Sequence, residues 1–291
     1  MKTICFLQLL CLTALLASSP AFAQEAKTES PKTEAPKIEA PIFNDKNLEA
    51  AVRKFVLEKR DTDKPLTEAD LVNLSTIQAN GRGIKDLTGL EKCQSLASLD
   101  IAENLISDLT PLKGLARLQY LNLADNRISD IRPLGEVKAL QYIELSHNQV
   151  KNLRPLNGLT NLASLYLSHN QITDIYPLLS LRKLSSLYLD NNRIETIDEI
   201  GTLRGLMTLS LNNNGIADLS PLEGLTGLYY LFLEGNDIRD LGSLVKFVKK
   251  DFEGEKRFAP FLKLYLQRNP LSTAAKKAQI AALQEAGVRV N

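Results

Sequence analysis

Histidine and cysteine are scarce in this 291-residue chain, which has two of the first and three of the second. A zinc centre takes three or four ligands in defined geometry. His147 and His169, even with Glu144 near them, bring no obvious third strong ligand, so no metal site is expected. No Ser-His-Asp or Cys-His set and no glycine-rich phosphate loop can be placed in a reacting geometry. The expectation is therefore a protein without catalytic residues and without cofactors.

Charge of one sign is lacking as well. Lys and Arg number 35 against 34 Asp and Glu, and no basic cluster stands out. That excludes an electrostatic binder of nucleic acid or of a membrane surface, which needs a clustered basic excess. Apolar runs are short apart from Ile4 to Ala17, which follows Lys2 and precedes the small-residue site Ala21-Phe22-Ala23. Residues 1–23 read as a secretory signal peptide, too short in its apolar core to anchor in a bilayer. Cys5 and Cys11 lie within it, without the small-residue pattern of a lipoprotein site. Cleavage leaves Cys93 alone, with no intrachain disulfide to form. The mature protein is expected to be secreted or periplasmic, with no integral membrane segment after signal cleavage. Residues 24–41 are mainly Lys, Glu, Pro, Ala and Thr, a composition that cannot bury enough to order itself, and are predicted to be a disordered linker.

What the chain has in abundance is period. Asn104, Asn126, Asn148, Asn170, Asn192, Asn214 and Asn236 follow one another at intervals of 22 residues, each in the frame Leu-x-x-Leu/Ile-x-Leu/Ile-x-x-Asn-x-Ile/Val. Asn269 returns after a gap of 33. This period and leucine pattern are the signature of a leucine-rich repeat solenoid, whose usual work is binding. The predicted fold is α/β: a right-handed leucine-rich repeat solenoid with a parallel concave sheet, an N-terminal helical cap and a C-terminal helical cap. In one unit Leu118, Leu121 and Leu123 point inward while Tyr120 and Asn122 alternate outward. Asn126 turns inward, where its donor and acceptor satisfy backbone that would otherwise cost about 1–3 kcal/mol per unpaired group. The asparagines are thus predicted to form a structural ladder. Pro111, Pro133, Pro155, Pro177 and Pro221 start the convex turns with φ already set. Glu199 and Ser243 replace that proline, and looser convex segments are expected there. Cys93 stands where Leu115 and Leu159 stand, an inward position.

Solenoid ends need covering. Residues 42–73 supply an N-terminal helical cap: Leu48, Val52, Phe55 and Val56 share one helix face behind Asn44 or Asp45, and Thr67 to Asp70 resembles a capping box. The repeats run over 74–270, beginning with a degenerate coil that has Arg82 at the asparagine position. The extra residues before Asn269 read as a longer convex helix or, in the alternative, as a protruding loop. In the cap at 271–291, Ser272 or Thr273 opens a helix, Gly287 stops it and Val288 to Val290 closes as a strand.

Asp108, Asp130, Asp174, Asp218 and Asp240 follow the repeat isoleucine by two places, mostly with Pro-Leu three further on, and the entry segment 66–91 has its own characteristic run. In these features the chain resembles the internalin-type leucine-rich repeat proteins of bacteria, over roughly residues 43 to 270. The resemblance implies an extracytoplasmic binding scaffold, in some members a ligand for a host receptor. No Ig-like segment, sorting motif or wall-binding module follows the repeats, so binding alone carries over. The 22-residue repeats of a eukaryotic phosphatase regulatory subunit look similar too, but that protein is intracellular.

The function is expected on the concave face. One outward position is Asp100, Asn122, Glu144, Tyr166, Tyr188, Ser210, Phe232 and Tyr265; the other carries Tyr120, Tyr142, Tyr230 and Lys263. Six of the chain's eight tyrosines fall on these two stripes, and tyrosine offers large contact area with a polar tip at little entropic cost. The expected partner is a protein or peptide; the alternative is a carbohydrate or cell-envelope ligand stacked on the same aromatic stripe. Asp100, Glu103, Asp125 and Glu144 make one end acidic, whereas Lys263 and Arg268 add base at the other. His147 and His169 should be neighbours about 5 Å apart on the rim.

Overall fold

The computed structural model describes residues 41–291. The signal peptide expected at 1–23 and nearly all of the linker expected at 24–41 lie outside the described residues. Each coil contributes three residues to one sheet: β1 (Thr76–Gln78), β2 (Ser98–Asp100), β3 (Tyr120–Asn122), β4 (Tyr142–Glu144), β5 (Ser164–Tyr166), β6 (Ser186–Tyr188), β7 (Thr208–Ser210), β8 (Tyr230–Phe232) and β9 (Lys263–Tyr265), with β10 (Arg289–Val290) closing the series. All ten strands are parallel and stand in sequence order. The pairing sets Leu99 beside Leu121 and Leu121 beside Ile143, so the 22-residue period of the sequence is the register of the sheet.

The middle residue of each strand points into the coil and its two neighbours point out. Leu118, Leu121, Leu123, Ile128, Leu134 and Val137 are fully buried in one such coil, and the same positions are buried along the array. Each buried aliphatic side chain contributes about 1.5–3 kcal/mol relative to exposure. Cys93 lies in this core, and burial pushes its thiol up to about 12.

The inward asparagines close the polar account of every coil. Asn126 donates through Nδ2 to the carbonyls of Leu123, Ala124 and Ile101, the last in the preceding coil, and its Oδ1 accepts from the amide of Ile106. The same bonds recur from Asn104 to Asn236. Asn269 repeats them with Leu233, Leu266 and Ile238 across the longer gap. The aspartates that mark the repeat act on the convex side, where Asp108, Asp130, Asp174 and Asp218 each accept the amide two residues on, at the entry to a 3-10 turn.

The coils with Glu199 and Ser243 in place of the convex proline keep ordered convex segments. Glu199 adopts φ 60, and a 3-10 turn follows at Ile200–Thr202. The first coil solves the same problem with Gly89 at φ 107 before Leu90–Lys92. A side chain is barred at Gly89, since a Cβ there would lie 2.5 Å from the buried Phe43 ring. Around Ser243 the turn is not looser: the convex segment is the longer helix expected from the extra residues of this coil, α3, over Gly242–Glu253. Leu244, Phe247 and Val248 give it an apolar face to bury.

At the N-terminus, helices α1 (Lys46–Arg53) and α2 (Glu68–Leu71) cover the first coil. Asp45 is the N-cap of the first, accepting from the amides of Asn47 and Leu48, and its second oxygen accepts from Lys85 and Asp86 of the first coil. The Thr67/Asp70 capping box is present in the second. At the other end Ser272 Oγ accepts the amide of Ala275, a π-helical turn spans Ala275–Gln279, and a helix follows over Ile280–Glu285. Gln279 fastens this cap to the last regular coil through the amide of Leu241 and the carboxylate of Asp240. No helix among the described residues is long and apolar enough to cross a membrane.

Candidate binding face

Because the register advances by one coil per strand, equivalent outward residues become lateral neighbours. Tyr120 stands beside Tyr142 and Tyr166 beside Tyr188. Ring centroids are 4.5 Å apart in the first pair and 4.8 Å in the second, with near-parallel planes, and Tyr142 reaches Tyr166 at 5.2 Å. Four rings therefore form one continuous row. Within each stacked pair the facing ring surfaces cover one another, so those pairs present mainly ring edges and hydroxyls.

The aromatic surface is divided. In β7 the outward residues are Thr208 and Ser210, and beyond that gap Tyr230, Phe232 and Tyr265 form a second group, with Phe232 and Tyr265 4.5 Å apart. Ser210 is buried and bonds Asp190, which also accepts from Ser168 Oγ and the Asn212 amide.

The polar candidates are partly engaged. Asn122 accepts from the amide of Ala124 and Glu144 from that of Ser146. Asp100 keeps one carboxylate oxygen sealed from solvent without a hydrogen-bond partner among the described residues. Burial, followed by the charge of Glu144, pushes the Tyr142 hydroxyl well above the usual tyrosine range; burial and then Asp100 push Tyr120 in the same direction. These phenols remain protonated at neutral pH, as donors facing an acidic end of the sheet.

The histidines have a backbone role. Glu103, Asp125, His147, His169, Asn191, Asn213, Gly235 and Arg268, each immediately before a ladder asparagine, all have φ between 53 and 65. Asn, Asp and His tolerate this left-handed conformation better than most residues. His147 and His169 stack with centroids 4.0 Å apart, closer than the strand spacing alone suggests, and His169 Nε2 meets Asn191 Nδ2 at 3.1 Å. Among the described residues no group of three or more His, Cys, Asp or Glu is arranged to hold a metal.

Residues missed from the sequence are Met207, Tyr229, Phe261 and Arg289, all exposed near the C-terminal end of the sheet. A signal was available: Met207 and Tyr229 occupy the position before the strand where earlier coils carry Gln119, Gln141, Ala163 and Ser185.

Comparison with known proteins agrees with this architecture. A family profile described as "Leucine Rich repeats" matches residues 116–158 and 160–202, and another, "Leucine rich repeat", matches 182–238. Among solved structures, an internalin C2 from Listeria monocytogenes is similar at 33% identity and a TM-score of 0.67, over 71% of this chain and 91% of that one. A leucine-rich repeat protein from Leptospira interrogans shares the fold at 22% identity and a TM-score of 0.60, over 71% of this chain and 57% of that one. A search of curated protein sequences finds no match.

Proposed function

The chain belongs to the internalin family of leucine-rich repeat proteins, and from that premise we propose a non-enzymatic, extracytoplasmic scaffold that captures a protein partner on the concave face of its sheet. The observation that carries the reading is the row Tyr120, Tyr142, Tyr166 and Tyr188. Leucine-rich repeats commonly serve as protein-interaction scaffolds, and tyrosine is enriched at interface hot spots. Asn122, Glu144 and Asp100 flank the row and supply polar contacts, while Tyr230, Phe232 and Tyr265 offer a second anchoring point. The acidic end at Asp100, Glu103, Asp125 and Glu144, against Lys263 and Arg268 at the other, favours one orientation of an elongated partner.

The carbohydrate alternative asks for an open ring face. In the row the facing surfaces within each stacked pair are taken by the neighbouring ring, while the outer faces of Tyr120 and Tyr188 stand beside Ser98 and Ser210. Ring edges and hydroxyls suit peptide groups and side chains better than they suit stacking on sugars.

Affinity capture with residues 24–291 as bait, beside the Tyr142→Ala, Tyr166→Ala, Tyr188→Ala triple variant, tests the reading. Hot-spot tyrosines lose about 2 kcal/mol each on truncation, so the variant is expected to release the partner while it remains folded by circular dichroism, with a melting temperature lowered by the lost ring contacts. Equal capture by both proteins sinks the proposal. Export with cleavage after Ala23 is checked by the intact mass of the extracytoplasmic product, expected to begin at Gln24.

A further inference from the structure

The 11 residues by which the last repeat exceeds its period build a second surface. The enlarged coil contains α3 and places Asp251 in the interior, where its carboxylate accepts from the amides of Arg257, Phe258 and Ala259. That cap organises the 3-10 turn at Ala259–Phe261. Gly287 at φ 90 comes so close to Pro260 that a Cβ there would lie 2.9 Å from the proline Cα, and the chain then enters β10 with Arg289 opposite Lys263. Sheet, insertion and C-terminal cap border an open cleft of about 210 Å³ lined by Tyr229, Tyr230, Pro260, Phe261, Lys263 and Arg289.

Its chemistry is two-sided. Tyr229 is 46% exposed and Phe261 53%, with centroids 6.3 Å apart, and Met207, 47% exposed, adjoins Tyr229 in the next coil. These side chains and Tyr230 make up four of the seven large apolar residues that stand exposed among the described ones. Lys263 Nζ sits 4.9 Å from the Tyr230 ring centre. Neither Lys263 nor Arg289 has a carboxylate partner among the described residues. An apolar shelf beside two unpaired cations complements a carboxylate held next to an aromatic group. Two cations are too few for a membrane surface, where recognition takes clusters of about four to eight.

We propose that this cleft is a second docking site, taking a segment of a partner protein in which an acidic side chain lies next to an aromatic one. It shares Tyr230 and Lys263 with the far end of the concave face and uses none of Tyr120, Tyr142, Tyr166 and Tyr188. The chain contains no tryptophan, so a tryptophan-bearing probe can be followed by its own fluorescence. The probe is a capped peptide with a Trp-Glu-Trp-Glu core, titrated beside a Trp-Gln-Trp-Gln version, while an Ala-Glu-Ala-Glu version is read by how well it displaces the first. The expected result is saturable binding that weakens with salt, with each control peptide about tenfold weaker. Tyr229→Ala with Phe261→Ser abolishes it, and the concave triple tyrosine variant leaves it unchanged. Arg289→Glu, at an exposed position, rejects the Glu peptide and gains affinity for a Trp-Lys-Trp-Lys core, a reversal that misfolding does not imitate. Equal binding of the Gln peptide overturns the proposal. So does loss of binding in the concave variant, failure of the Glu peptide to bind at millimolar concentration, or adsorption to phosphatidylglycerol vesicles without peptide binding.

Discussion

Tyr142 and Tyr166 meet across a diagonal. Tyr142 is in register with Ser164, and Tyr166 with Glu144, yet their rings approach to 5.2 Å at an interplanar angle of 40°. This contact joins two stacked pairs, on different stripes of the sheet, into one row of four. A double-mutant cycle on Tyr142→Ala and Tyr166→Ala, read by urea unfolding, is expected to give a coupling of about 0.5–1.5 kcal/mol, the usual range for aromatic pairs. Additive effects would show that the two rings do not support one another.

Asn148 gives the sharpest test of the ladder. Its Nδ2 serves the carbonyls of Leu123, Leu145 and Ser146, and its Oδ1 takes the amide of Ile128. Asn148→Ala leaves these buried groups unpaired and is expected to cost about 3 kcal/mol in chemical denaturation. Asn148→Asp keeps the acceptor but turns a carboxylate toward carbonyls, so at neutral pH it should be at least as damaging.

His147 tests whether the histidines are backbone residues or ligands. At φ 57, Asn or Gly in its place should change stability by no more than about 0.5 kcal/mol, whereas the β-branched Val should cost about 1–2 kcal/mol. Zinc in excess is expected to leave the melting temperature of the parent unchanged. A zinc-dependent rise that disappears in His147→Asn would restore a metal role.

Asp70 makes the N-terminal cap sensitive to acid. Burial alone would raise its carboxyl, but the hydrogen bonds from Lys59 and Thr67 outweigh that and hold it down at about 2. A carboxyl depressed in the folded protein contributes stability above its ordinary value of 3.8, and this contribution is lost as pH falls toward 2. Melting curves of the parent and Asp70→Asn should therefore differ by a constant amount above pH 4 and converge near pH 2. A difference that persists undiminished at pH 2 would contradict this.

Much of this architecture was legible because its period is short and its rule is local. One inward asparagine per 22 residues names the faces of its neighbours, so the strands, the buried Cys93 and the aromatic positions could be counted off. The capping box at Thr67 was readable for the same reason: its partners lie three residues apart. The gap in the aromatic surface at β7 was present in the letters Thr208 and Ser210, but its meaning depends on which rings touch. The coil around Ser243 carried two readings, a looser turn for want of proline and a longer convex helix for its 11 extra residues, and the structure has the helix. There the apolar face of α3 meets the core through contacts that no local pattern specifies.

Repetition dictates the solenoid, since each coil buries the same residues against the same neighbours and needs no distant information to do so. Packing decides what the surface offers. Four phenols become a row, its stacked pairs showing mainly their edges, only when the register stacks them, and Phe261 comes beside Tyr229 only because a buried Asp251 caps the turn that carries it. Side-chain contacts between strands, and between an insertion and a terminal cap, depend on rotamers and distances in space, and a linear spacing does not contain them.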